Sequence, residues 1–281
     1  MELDPNFAEG WAALAEARSL LGVGLELRYR SEFPKAREAA QRALEIDDRL
    51  GGAHAALGRV GLWYDWDFPG ARRGFERALQ VSPSDPKVLD AWVWYLLLAE
   101  LRTEEAIEFS ERLLRVAPLD LFWRGQRVKH FFFARQYESA LEELERVREL
   151  DPDYVDLDVG ATYIMLGQFT EAYRIYSAFF ERGGAAFGPI RETFDQGWAE
   201  GGWEGSWRAW LKVVTNIEGA SPYAIALVYA LIDEADEAFS WLERSYSERD
   251  PTIINLKAEP NLDRLRSDPR YHDLLRRIGF P

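Results

Sequence analysis

The stretch "GLWYDWDFPGARRGFERALQVSP" occupies residues 61–83 and opens two readings. Trp63, Tyr64, Trp66 and Phe68 alternate with Asp65 and Asp67, either as the walls and carboxylates of a binding site or as the bend between two helices. The second half of the stretch favours the bend. Phe68, Ala71, Phe75 and Ala78 recur at steps of three and four, which is one face of a helix. Asp67 then serves as the N-cap of that helix, with Pro69 tolerated in the first turn. An Asp-x-Asp pair is also the spacing of a metal-bridged sugar-nucleotide site, but that chemistry wants a nucleotide-binding fold beside it, and here helical segments flank the acids.

The same beat runs along the chain. Small residues recur at Ala36, Ala71, Ala106, Ala140, Ala172, Ser206 and Ala238, with gaps of 35, 35, 34, 32, 34 and 32 residues. An aromatic precedes five of them by three places: Phe33, Phe68, Tyr137, Phe169 and Trp203. Four positions past the small residue come Ala40, Phe75, Ser110, Leu144, Tyr176, Trp210 and Leu242. Three further on come Ala43, Ala78, Leu113, Val147, Phe179, Val213 and Ser245. Twelve residues before each small position lies a second apolar stretch, and turns such as "LGQF" (166–169) and "ARQY" (134–137) join the two. Each unit is a helix hairpin of about 34 residues, too small to bury its own face, so neighbours must stack. The small residue marks where two helix backbones approach, and enlarging Ala140 to Leu is expected to cost about 1–3 kcal/mol through overpacking.

Composition excludes several functions. The 281 residues carry 48 acids against 34 bases, a net charge of −14, which repels rather than steers nucleic acid. With no cysteine there is no disulfide, thiolate metal site or cysteine nucleophile. The longest apolar run, "AWVWYLLLA" (91–99), is too short to span a bilayer, so no membrane insertion is expected of this chain. "MELDPNFAEGW" at the start has neither the basic nor the apolar region of a signal peptide. His54, His130 and His272 fall in different units without metal-binding spacing, and no G-x-S-x-G elbow or phosphate loop occurs. No cofactor and no metal is expected. "GGWEGSW" (201–207) reads as a tight inter-helix turn with Trp203 and Trp207 packing inside. "LEELERVREL" (141–150) reads as a solvated helix face with pairs such as Glu142–Arg146.

The pattern resembles the tetratricopeptide repeat. Leu57, Gly58, Phe68, Ala71, Phe75, Ala78 and Pro83 stand on that family's signature positions. "YDWDF" with "ARRGFERAL", "FPKAREAAQRALEID" (33–47) and "GWAEGGWEGSWRAW" (197–210) look like the tetratricopeptide tails of bacterial serine/threonine kinases, nucleotide cyclases and CadC-like transcription regulators. So, most closely, do "SPYAIALVYALIDEADEAFSWLERSYSERDP" and "LRSDPRYHDLLRRIGFP". The resemblance implies an all-α fold: a right-handed α-α superhelix of about seven hairpins plus a C-terminal capping helix. A single domain over 1–281 is expected, with repeats at about 8–47, 51–83, 87–118, 121–152, 153–184, 187–218 and 219–251 and the cap at 252–281. The cap helix is read as starting at Ser267 or Asp268, with Pro269 in its first turn. "ELDP" (2–5) reads like the end of an earlier second helix, as though the chain began in mid-repeat of a longer parent.

The resemblance also implies a concave groove lined by first helices. Mapped onto this chain it yields Arg59, Leu62, Val88, Tyr95, Phe122, Lys129, Phe132, Tyr154 and Leu157 as groove candidates, with Glu16 and Gly125 at neighbouring positions. Such a lining suits a protein or peptide ligand with apolar anchors and a few acidic groups. The carboxylate-clamp pattern of chaperone-binding relatives is not met. The leading expectation is a non-catalytic binding scaffold that regulates or recruits for a bacterial signalling protein. Self-association into a homodimer is the second, and an enzyme with a spatially assembled site the third. The cytoplasm is the expected compartment, or an extracytoplasmic one if a parent carries a membrane segment.

Overall fold

Helix starts are set by short polar side chains. Asp67 Oδ1 accepts the Gly70 N–H at 2.9 Å, as read above, and Asp120 does the same for Phe122 at 2.9 Å. Asp85, Ser221, Asp250, Glu259 and Asp268 each stand before a proline that opens a helical segment, and each accepts a backbone N–H from its first turn. Proline belongs there because its missing N–H has no intrahelical partner to lose. The computed structural model describes residues 5–24, 29–184 and 187–281. Glu2–Asp4 of the "ELDP" reading lie outside the described residues.

Every element among the described residues is helical or a turn. The chain forms two compact units, one of Met1–Leu119, Arg249–Ala258 and Asp273–Pro281, the other of Asp120–Glu248 and Glu259–His272. In the first, α1 (Ala8–Gly24) pairs with α2 (Tyr29–Ile46), and α3 (Gly51–Arg59) with α4 (Phe68–Val81). The third hairpin there is α5 (Pro86–Tyr95) with α6 (Thr103–Val116). First helices also stack on one another, α1 on α3 and α3 on α5, while α2 packs on α3 and α4 on α5. The second unit repeats the scheme with α7 (Leu121–Phe133) and α8 (Tyr137–Leu150), then α9 (Leu157–Met165) and α10 (Phe169–Arg182). Its third hairpin is a single run, α11 (Gly188–Val214), folded at Gly201 and Gly202. Gly202 has φ 60° and ψ −143°, a region that side chains exclude, so the expected glycine turn is present. Then come α12 (Pro222–Leu231) and α13 (Ala235–Glu248), two 3-10 turns (Pro251–Asn255, Pro260–Leu265) and α14 (Pro269–Ile278). The stretch expected as a terminal cap is thus divided: Thr252–Ala258 and Asp273–Pro281 belong to the first unit, Glu259–His272 to the second.

The beat of small residues is the seam. Ala36, Ala71, Ala106, Ala140, Ala172, Ser206 and Ala238 are all 0% exposed. Backbones do approach there: a Cβ built on Gly61 would lie 3.2 Å from the Ala71 nitrogen, and one on Gly74 3.0 Å from that of Gly58. Downstream the register slips in two hairpins. Phe180, Leu211 and Val214 are buried, while Phe179, Trp210 and Val213, one residue earlier, are half-buried. Two helical turns span 7.2 residues, so a face followed by sevens drifts, and long rings fill the space from the eighth place. Of the aromatics three places before the small residue, Phe33 and Phe68 are buried and Phe169 is exposed.

The charge run at 141–150 is solvated at Glu142, Glu145, Arg146 and Glu149 and departs from that reading at one residue. Glu143 is buried, not solvated, and its carboxylate takes Arg124 at 2.6 Å, Arg146 at 3.0 Å and Arg127 at 3.7 Å. Arg146 therefore pairs with Glu143. A buried carboxylate is tolerated when several cationic donors share it.

Candidate functional site

First helices carry the groove candidates, and the structure sorts them. Arg59, Leu62, Val88, Tyr95 and Phe132 are buried and act as packing residues. A one-face spacing cannot tell an open face from a covered one, and in the first unit glycine and alanine bring neighbouring helices close enough to cover it. Phe122 and Leu157 are open, at 57% and 42% exposure. Lys129 and Tyr154 are half-buried. Tyr154 precedes α9 instead of lying on it.

In the first unit, residues distant in sequence meet around Arg59. Lys87 Nζ on α5 reaches Glu16 Oε2 on α1 at 3.0 Å, and Arg59 Nη2 on α3 donates to the Lys87 carbonyl at 3.1 Å. Burial lowers the affinity of the Arg59 guanidinium for its proton, and the charges of Asp90, Glu16 and Asp85 oppose that. The cluster ties three stacked first helices together.

The second unit holds a richer set. Lys129 on α7 lies 3.0 Å from Asp156 Oδ2 and 3.8 Å from Asp158 Oδ2. Asp156 in turn caps α9, accepting the Asp158 N–H at 3.0 Å. A Cβ on Gly125 would come within 2.5 Å of the Tyr154 hydroxyl, so the glycine makes room for the phenol. Burial pushes the Tyr154 phenol up to about 12, with Asp156 adding to it and Lys129 opposing. Burial likewise raises the Asp158 carboxyl to about 6, relieved by Lys129 and increased by Asp156. Despite its own burial, Lys129 is held protonated by the two aspartates.

Glu259, 3% exposed, is raised to about 7 by burial, eased by the Asn261 N–H and pushed further by Asp158. Two up-shifted carboxyls that feel each other's charge, one of them 3.8 Å from a lysine, are the raw material of acid–base chemistry. Here both have structural employment. Glu259 Oε1 accepts from the Asn261 N–H at 3.1 Å and from its side-chain amide at 2.7 Å, capping the second 3-10 turn, and Asp158 shares Lys129. Among the described residues no group of three or more His, Asp or Glu is placed to hold a metal ion. Asp65 is engaged by Arg37, both carboxylate oxygens lying within 2.6 Å of Nη2.

Sequence reading missed Asp156, Asp158 and Glu259. The "DLD" (156–158) that caps and opens α9 was a signal, since its acids lie within ion-pair reach of Lys129 on the preceding first helix. Glu259 had a weaker one, as an acid directly before a proline, the pattern that also opens helical segments at Asp85 and Asp250.

Hairpins whose first helix packs on its own second helix and on the next first helix define a tetratricopeptide-type array. No family model matches the chain, and no curated protein does. Among solved structures, Pseudomonas aeruginosa PilF is 17% identical, with 88% of this chain and 97% of that one covered and a TM-score of 0.48. PilW, a widely conserved type IV pilus biogenesis factor, is 13% identical, with 88% and 98% covered and a TM-score of 0.45.

Proposed function

We propose that the chain is a non-catalytic scaffold that binds a protein or peptide, acting in the cytoplasm as the regulatory or recruitment part of a bacterial signalling protein. The observation that carries the binding reading is the strip on α7 and α9. Phe122 and Leu157 stand open on neighbouring first helices, and Lys129, two turns along α7 from Phe122, is locked between Asp156 and Asp158 on either side of Leu157 in sequence. Apolar anchors rimmed by fixed charge suit a peptide better than a small polar substrate. The likeness of residues 221–251 and 265–281 to bacterial signalling tails supports the context. No described helix is long and apolar enough to cross a membrane.

The test is capture from the source cell with the intact chain and with Phe122→Asp plus Leu157→Asp, both exposed positions whose replacement leaves thermal unfolding in place. A partner recovered by the intact chain and bound at least tenfold more weakly by the variant supports the reading. Equal recovery by both removes the strip from the account. A mass that rises with concentration in light scattering, and is lost in the variant, assigns the strip to a second copy of the chain.

A further inference from the structure

We propose that the turn edge of the second and third hairpins is a peptide-recognition site, occupied in this structure by residues 249–258 of the same chain as a tethered, releasable ligand. The first helices of these two hairpins change character at their ends. Val60–Asp65 and Leu96–Glu100 are π-helical, whereas α7 ends in ordinary closure, with Arg135 N–H bonded to the Phe132 carbonyl and Gln136 N–H to that of Phe131. A π-helical end leaves its last carbonyls without intrahelical donors, and such segments concentrate at functional sites.

Those carbonyls are met by two cations. Arg249 Nη2 donates to the carbonyls of Tyr64 at 3.1 Å and Asp65 at 3.4 Å, and Lys257 Nζ donates to that of Ala99 at 2.8 Å and also to Pro281. A positive group at a helix C-terminus is favoured by the exposed carbonyl dipoles as well as by the bonds. Between the two cations Asp250 caps the turn Pro251–Asn255, which packs on both π-helical ends with Ile253 and Ile254 fully buried. The segment thus has the parts of a docked peptide: two charged ends, a preformed turn and an aliphatic plug.

The receiving turn is shaped for it. Trp66 holds φ 60°, a left-handed conformation in which glycine sits without strain, and its ring lies 4.1 Å from the Arg249 guanidinium. The equivalent turns place Leu101, Arg135, Gly167 and Asp233 in the same conformation, and at the turn after α3 the residue is an aromatic that stacks on the segment's first cation. This site shares no residue with the Phe122–Leu157 strip and stands or falls without it.

The experiment uses the full-length chain and a fluorescent peptide of residues 249–258. Wild type is expected to bind the peptide at least tenfold more weakly than Arg249→Ala plus Lys257→Ala, because the tethered copy competes at high effective concentration. Native-state hydrogen exchange on the wild type covers the case in which that variant fails to fold. Amides of 249–258 should exchange at least tenfold faster than those of α4 and α6 in mild denaturant. Exchange of the segment and both helices in one step overturns the proposal, because the segment is then an inseparable part of the core. A folded variant that binds peptide no better than wild type overturns it as well.

Discussion

The first two hairpins and the hairpins around α10 and α11 are built on one plan with opposite materials. Ala12, Ala15, Ala39, Ala40, Ala43, Ala53 and Ala56 form the core of the first, edged by Trp11, Leu14 and Leu57. Tyr176, Phe180, Phe194 and Trp207 form the core of the second, with Phe194 and Trp207 centroids 5.1 Å apart and Tyr176 and Trp207 4.9 Å apart, both edge-on. Alanine lets helices close until backbones nearly touch, whereas rings hold them apart and fill the gap with edge-to-face contact. What both share is the small residue at the crossing. The repeat constrains that point and leaves the rest of the volume to be divided freely.

Truncating a ring tests one side of this contrast. Trp207→Ala should cost about 3–5 kcal/mol in denaturant unfolding, and Trp203→Ala, only half-buried, should cost less. Equal losses would show that Trp203, which the sequence places inside together with Trp207, is as much a part of the core. The alanine seam is tested in the opposite direction. Ala40→Leu, at a fully buried position, should cost about 1–3 kcal/mol by overpacking. A melting curve unchanged by that leucine means the seam has slack and the contrast disappears.

Charge supplies a third test. In the folded chain the Glu259 carboxyl ionises near pH 7, above its ordinary 4.5. The folded state therefore holds this proton more tightly than the unfolded one. The stability it contributes is complete below about pH 4.5 and is lost as pH rises through 7. Glu259→Gln keeps an acceptor for the Asn261 N–H and removes the charge, so at pH 8 it should stabilise by about 1–2 kcal/mol and at pH 4 do little. A stability difference between variant and wild type that is flat from pH 4 to 8 rules this out. The smallest effect is expected at Leu101, 37% exposed with φ 56°. Leu101→Gly should stabilise by about 1 kcal/mol through relief of left-handed strain, whereas Trp66→Gly forfeits the contact with Arg249.

Much of this architecture was legible in residue spacing. The crossings at Ala36 through Ala238, the Asp67 cap and the glycine fold at 201–202 follow from local rules of periodicity and backbone freedom. Two kinds of feature were not legible. Whether a face is covered depends on what packs over it, which is why Tyr95 and Leu62 pass for groove residues in sequence and are core in three dimensions. Partners far apart along the chain leave no local trace, as with Lys87 and Glu16, 71 residues apart, or Arg249 and the Tyr64 carbonyl, 185 apart. Lys129 was singled out from the sequence, but the carboxylates that immobilise it were not, so replacing it with Glu would gather three acids instead of merely reversing a free charge.

The glycines of α11 reach beyond packing. A Cβ on Gly197 would fall 2.4 Å from the Gly205 carbonyl oxygen, and one on Gly205 2.3 Å from that of Gly197. The two arms therefore meet across a bend only a few residues long, bringing Phe194 and Trp207 together after a short search of conformational space. Ring contact at so small a separation along the chain is kinetically cheap, and this element is expected to take shape early in folding, giving α10 and α12 a surface on which to condense.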